Sequence, residues 1–367
     1  MSPCGNSPYS VNQSNDMISF IVPAHNEQAH LSRTLQAIHE SARVVGQPYE
    51  IIVVDDSSTD ASAGIARQNG ARVVSVNHRQ IAATRNSGAR AAHGERLFFV
   101  DADTTVNPHA VASALRAMDE GAAGGGAWTR LEGDVPLYGL LLFWVVLISG
   151  RIAGFTGGAF MFCTRAAFRA AGGFNERLFC AEEVAFAFAL KREGPFAVLW
   201  ERVLTSGRRF RTTAGLQVLA TFARMAFLPS KTVTRRASVE KIWYESNRDG
   251  DENGSGSLAV KASNFIALLI MLFLLLQPVW HAVTLIWPQT LDGLFGTLDR
   301  KGGIITCHVG LVAWPCAWFL FRALLVQKRW WERIKLVALI AICLWLAWTN
   351  TRTVIAIWMM FYQWLAQ

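Results

Sequence analysis

Short apolar runs in the first third of the chain set the class of fold. Ile18–Val22, Glu50–Val54, Arg72–Val76 and Arg96–Val100 each have the length of a β-strand. Helical patterns lie between them. Leu31, Leu35 and Ile38 mark one face of a helix, Asp60–Asn69 and Gln80–Ala92 read as two more, and Pro108 suits the first turn of a fourth. Strands alternating with helices predict an α/β fold with a doubly wound, Rossmann-like, mostly parallel sheet. Such sheets bind ligands beyond the carboxyl ends of their strands. All the runs except Arg72–Val76 lead into polar or acidic turns, so chemistry is expected after the first, second and fourth strands.

Composition adds a second region. The 367 residues are 52% hydrophobic and only 17% charged, with 14 Trp and 22 Phe. Soluble domains carry about 25% charge, so part of this chain is expected to sit outside water. A disordered, collagen-like or disulfide-stapled chain is excluded. The six cysteines form no CxxC pair, which points to reduced thiols rather than to zinc or disulfides. The net charge of +8 lies beside apolar segments, where anionic lipid is the commoner partner. Nucleic acid is not expected, because the basic residues lack an aromatic-interleaved groove.

Residues 1–16 are rich in Ser, Asn and Pro and read as a disordered tail, not a signal peptide. An enzyme-like domain is expected over 17–212, an amphipathic interfacial linker over 213–260, and a transmembrane region of about three helices over 261–367. Phe265–Trp287 has no Asp, Glu, Lys or Arg and, at about 1.5 Å per residue, can cross a ~30 Å layer. Ile304–Phe321 is a second candidate; Leu336–Trp348 and Val354–Ala366 make either one span or a hairpin. The connection 322–335 is basic and 288–303 is not, which predicts a multi-pass protein of the inner membrane with its catalytic domain in the cytoplasm. Leu137–Ser149, too short to span, reads as an interfacial element or a buried core helix.

The acidic turns carry the chemistry. Adjacent carboxylates such as Asp55 and Asp56 at a strand end repel each other, so one of them is expected to face a ligand, a nucleobase or a ribose. Ser58 or Thr59 is expected to cap the next helix. In Val100-Asp-Ala-Asp-Thr104, Asp101 and Asp103 share a side of an extended segment and suit a hard divalent cation, Mg²⁺ or Mn²⁺. Three arginines, Arg208, Arg209 and Arg211, follow Gly207. Their forks suit a phosphate, of the donor or of a lipid acceptor, or a membrane surface.

The runs VPAHNE, VVDDSSTD and ATRNSGARAAHGERLFFVDAD together resemble the family-two glycosyltransferases of the nucleotide-diphospho-sugar (GT-A) fold, over about 17–210. The resemblance implies that Pro23, Ala24, Glu27 and Asp56 line a nucleoside. It implies that Asp101 and Asp103 form a DxD pair at the ribose and a metal-bridged diphosphate, with Arg85 near the base or the phosphates. Thr156-Gly-Gly-Ala-Phe160 resembles the family's glycine-containing strand, with Gly157 and Gly158 at the sugar and acceptor pocket. The family's catalytic Asp, second of a Glu-Asp pair, is matched by Glu183, with Glu182 beside it in a positioning role. That change keeps the carboxylate and displaces it by about one methylene.

The expected function is therefore that of a membrane-anchored, metal-dependent, inverting transferase. It moves one sugar from a UDP- or GDP-sugar to a lipid-linked acceptor. The competing readings are a processive polysaccharide synthase, which the missing Gln-x-x-Arg-Trp motif disfavours, and a non-catalytic nucleotide-sugar-binding membrane protein.

Overall fold

The computed structural model describes residues 17–227, 233–237 and 260–272. Strands β1 (Ile18–Ala24), β2 (Tyr49–Asp56), β3 (Arg72–Val76) and β4 (Arg96–Val100) form where the apolar runs predict them. Helices α1 (Leu31–Val45), α2 (Ser62–Gln68), α3 (Ile81–Ala91) and α4 (Pro108–Asp119) fill the expected intervals, with β5 (Thr104–Thr105) inserted before α4. Asn107 caps α4 by accepting the Ala110 N–H, and Pro108 fills the first turn. Then follow β6 (Gly124–Glu132), α5 (Leu137–Ala153), β7 (Phe160–Thr164), α6 (Arg165–Ala170), α7 (Glu182–Glu193), β8 (Phe196–Ser206), α8 (Arg208–Thr212) and α9 (Gly215–Phe227).

The eight strands make one sheet in the order β3-β2-β1-β4-β7-β6-β8-β5. Pairs β1–β2, β1–β4, β2–β3 and β6–β8 are parallel; β4–β7, β6–β7 and β5–β8 are antiparallel. Two antiparallel steps through β7 return β6 and β8 to the direction of β4. The carboxyl ends of β1, β2, β4 and β8 therefore share one rim with the start of β7. Alternation along the strands feeds two cores. Phe20, Val22, Phe98 and Val100 pack with α1 and α4 on one face. Ile21, Val54, Leu97 and Phe99 pack with α3, α6 and α7 on the other.

Two expectations change. Ser58 and Thr59 do not cap α2. Ser58 Oγ accepts the Asn26 N–H and the Thr59 N–H donates to Asn26 Oδ1, while Asp60 Oδ1 takes the Ser62 N–H. The hydroxyls zip the turns after β1 and β2 together, a role visible only once those strands pair.

The multi-pass membrane location is also overturned: among the described residues no helix is long and apolar enough to cross a membrane. Helix α5 is apolar, but its 17 residues fall short of the roughly 20 a span needs. It is part core and part surface, burying Tyr138, Gly139 and Leu142 while Trp144, Ile148 and Ile152 stay exposed. The tail 1–16, the expected spans beyond Leu272, the basic connection 322–335 and most of the linker lie outside the described residues. Cys163 and Cys180 are buried free thiols.

The chain divides into two units. The first holds the residues up to Thr221 together with Ser230–Lys261, and the second holds Phe222–Pro229 and Ala262 onward. The rim described below belongs to the first.

Candidate active site

Helix α3 approaches the sheet closely because Gly88 carries no side chain. A Cβ there would collide with Ile21 Cγ2 and stand 2.8 Å from Val54 Cγ2. Arg85 stands one turn earlier on this helix, at the rim, and is buried. Its Nη2 donates to Asp101 Oδ1 at 2.7 Å and to the Gly158 carbonyl at 3.1 Å; its Nη1 donates to Glu182 Oε1 at 2.8 Å. The ring of Phe174 lies 5.2 Å from the guanidinium carbon. Burial opposes the charge of Arg85, but Asp101 and Glu182 outweigh it and hold its pKa above the ordinary arginine value.

Three stretches thereby converge: the turn after β4, the loop before β7 and the head of α7. Gly158 permits the approach, since a Cβ on it would sit 2.8 Å from Arg85 Nη2. Gly157 beside it faces open space. Ala181, the N-cap of α7, adopts the left-handed region at φ 57°. That conformation costs a non-glycine residue about 1–2 kcal/mol and turns the chain so that Glu182 and Glu183 open the helix at the rim.

Glu183 follows the buried Glu182. Burial first, and then the neighbouring Glu182, push its carboxyl up to about 8, against the pull of Arg85. A carboxyl titrating near neutrality suits a general base. Cys180, just upstream, is pushed up to about 12 by burial and by both glutamates; it is an inert thiol.

The other side of the rim is built by β8. Its pairing with β5 sets Thr104 opposite Thr205, and Thr205 Oγ1 donates to Asp103 Oδ1 at 3.2 Å. Arg208, two residues past β8, donates from Nη2 to Glu27 Oε1 at 2.6 Å and stands 3.4 Å from Asp103 Oδ2. Arg209 is exposed and Arg211 donates to the Glu132 carbonyl.

Pro23 and Ala24 are buried at the end of β1, with Ala24 opposite Asp55. Asp55 Oδ1 accepts the Ser58 N–H at 3.3 Å. Asp56 is engaged more heavily. Its carboxylate takes the N–H groups of His78, Arg79 and Gln80 and the Thr84 hydroxyl, pinning the loop that leads into α3. Both oxygens of Asp56 thus have protein partners.

Arg85, Asp101, Glu182 and Gly158 are joined directly, as are Glu27, Asp103 and Arg208. Thr205, Ala181 and Gly88 are the residues that sequence reasoning passed over. For Thr205 and Gly88 no local signal exists, because their roles depend on partners in β5 and β1. Ala181 gives none either, since alanine seldom takes positive φ. No group of three or more His, Cys, Asp or Glu that could hold a metal ion occurs among the described residues.

The model of glycosyl transferase family 2 matches residues 19–168. Residues 19–168 are thus similar to the family 2 glycosyltransferases. The match runs from β1 into α6, so it includes the Asp101–Asp103 turn and the Gly157–Gly158 loop and ends before Glu182.

Curated relatives of this domain include the undecaprenyl-phosphate 4-deoxy-4-formamido-L-arabinose transferases of Edwardsiella ictaluri and Serratia proteamaculans. The first is 34% identical over 112 residues and the second 32% over 112 residues, each alignment covering 28% of this chain and 34% of that protein. The chain thus spans about a third of the length of the curated relatives it matches. Among solved structures, the mannosyltransferase PcManGT from Pyrobaculum calidifontis in complex with GDP-Man and Mn²⁺ aligns with a TM-score of 0.46 and 17% identity, over 77% of this chain and 85% of that one.

Proposed function

We propose that the family 2 domain transfers one sugar from a nucleoside diphosphate sugar to a lipid-linked acceptor, with inversion at the anomeric carbon. One observation carries this reading: Arg85 joins Asp101, in the expected donor turn, to Glu182, in the expected base pair, within 3 Å on each side. A donor diphosphate and an acceptor nucleophile need that proximity, since in-line attack requires reacting atoms about 3–3.5 Å apart.

In this reading Pro23, Ala24, Glu27 and Asp55 border the nucleoside, while Asp56 shapes the border by fixing the loop at 78–80. Asp101 and Asp103 suit a divalent cation. They offer two carboxylates and no further protein cage, and Mg²⁺-like ions in such sites complete their shell with phosphate oxygens and water. The ion supplies charge neutralisation to the departing diphosphate. Glu183 takes the proton of an acceptor hydroxyl at its carboxylate, and Glu182, locked on Arg85, holds the head of α7 in place. Gly157 leaves room for the sugar, beside Gly158, whose carbonyl is held by Arg85. The lipid-linked acceptor is suggested by the undecaprenyl-phosphate named for the relatives.

The test is transfer of radiolabelled sugar from a panel of UDP- and GDP-sugars to undecaprenyl phosphate or a lipid-linked saccharide. A single product, lost in Asp103→Ala and in Glu183→Gln, is expected with a hydroxyl acceptor. A phosphate acceptor is already ionised, so transfer to it would survive Glu183→Gln. Donor binding without turnover on any acceptor would overturn the catalytic reading.

A further inference from the structure

One guanidinium serves two carboxylates that come from different strands. Glu27 follows β1 and Asp103 follows β4, and Arg208 Nη2 reaches both, at 2.6 Å and 3.4 Å. Asp103 Oδ1 is already engaged by Thr205, so Oδ2 is the oxygen turned to the arginine. The other terminal nitrogen of Arg208, Nη1, is buried and has no hydrogen-bond acceptor among the described residues. Buried donors without acceptors are rare because they are costly. Nη1 therefore marks a place where an anionic oxygen fits.

We propose that Arg208 makes cation binding conditional on the diphosphate. The inference rests on Asp103 being a cation ligand, as read above. A divalent ion arriving alone meets the fixed charge of Arg208 at the oxygen it needs, and like charges within about 4 Å repel strongly at the rim of a protein. A diphosphate changes the sign of the encounter. Its oxygens give Nη1 an acceptor and stand between the two cations, so the guanidinium turns from a competitor of the ion into a second clamp on the same phosphate. The bond to Glu27 tethers Arg208 throughout, so only a small shift of the fork is required. Arg211 cannot stand in, since it is committed to the Glu132 carbonyl.

The experiment titrates the full-length protein with Mn²⁺ alone, and with Mn²⁺ plus inorganic pyrophosphate, by electron paramagnetic resonance of the free ion. Arg208→Gln is expected to bind Mn²⁺ alone about tenfold tighter than the wild type and to bind pyrophosphate with Mn²⁺ about tenfold weaker. Arg208→Lys, which keeps the charge and loses the fork, should leave Mn²⁺ alone weakly bound while still weakening pyrophosphate. A melting curve identifies a variant lost to unfolding. In that case the Glu27→Gln/Arg208→Gln double variant, which removes both charges of the pair, is read in its place with the same expectation. Equal Mn²⁺ affinity in wild type and Arg208→Gln overturns the proposal and leaves Asp103 a cation ligand. Failure of Mn²⁺ to bind any of these proteins even with pyrophosphate, or its binding unaltered by Asp103→Ala, removes that assignment and the proposal with it.

Discussion

Arg85 on α3 and Glu182 at the head of α7 form a 2.8 Å ion pair across 97 positions of sequence. Both side chains are buried, and the second arm of the same guanidinium holds Asp101 at 2.7 Å. Lysine has one ammonium and cannot reproduce the fork. Arg85→Lys is therefore expected to lower transfer at least tenfold, and Arg85→Met to destabilise the fold by about 3–5 kcal/mol, because buried carboxylates are left unpaired. Sugar transfer and denaturant unfolding measure the two effects; a wild-type Arg85→Met would refute the hub.

The raised carboxyl of Glu183 makes a prediction about pH. A general base works deprotonated, so the rate should rise with pH through about 8 and fall away below it. An unperturbed glutamate would instead leave the rate flat above about pH 5. Glu183→Gln should remove this limb together with about 10²–10⁴-fold of the rate. A pH profile of kcat for a hydroxyl acceptor, flat from pH 5.5 to 9 in the wild type, would rule the base out.

Two glycines separate packing from substrate room. Gly88→Ala forces a methyl against Ile21 and Val54, and overpacking of this kind costs about 1–3 kcal/mol. Gly157→Ala meets nothing within 4 Å, so its melting temperature should match the wild type while KM for donor or acceptor rises. Thermal melts beside steady-state kinetics distinguish the two; a destabilised Gly157→Ala would contradict the open space at that loop.

Ala181 is the place to look for stored strain. Relieving its left-handed backbone with glycine should stabilise the fold by up to ~1 kcal/mol, the gain being trimmed by the extra freedom of glycine in the unfolded chain. Ala181→Val should destabilise by more than that, since a β-branched residue tolerates positive φ poorly. Urea unfolding of the pair would show it, and a stabilising valine would mean that α7 does not begin as described.

Strands β1 to β4 and helices α1 to α4 were legible because their signals are local: apolar runs of strand length, a 3.6-residue stripe, a proline in a first turn. The turn holding Asp101 and Asp103 could be placed for the same reason, since it follows directly on an apolar run of strand length. The β4–β7–β6–β8 pairing was not, because residues such as Val100 and Phe160 meet only through long-range hydrogen bonding that no periodicity announces. The adjacent aspartates show the limit most clearly. Their repulsion pointed to a ligand at one of them, and the partners that the structure gives Asp56 are the N–H groups at 78–80 and Thr84, a loop the sequence does not mark.

By itself the sequence determined that this chain begins with an α/β sheet whose acidic turns lie at strand ends, since hydrophobic period and turn chemistry act over a few residues. Only the tertiary structure decided which charges meet. Arg85 takes Asp101 and Glu182, and Arg208 takes Glu27 and Asp103, because an ion pair depends on distance through space, and that distance is set by how α3, α7 and β8 pack at one rim.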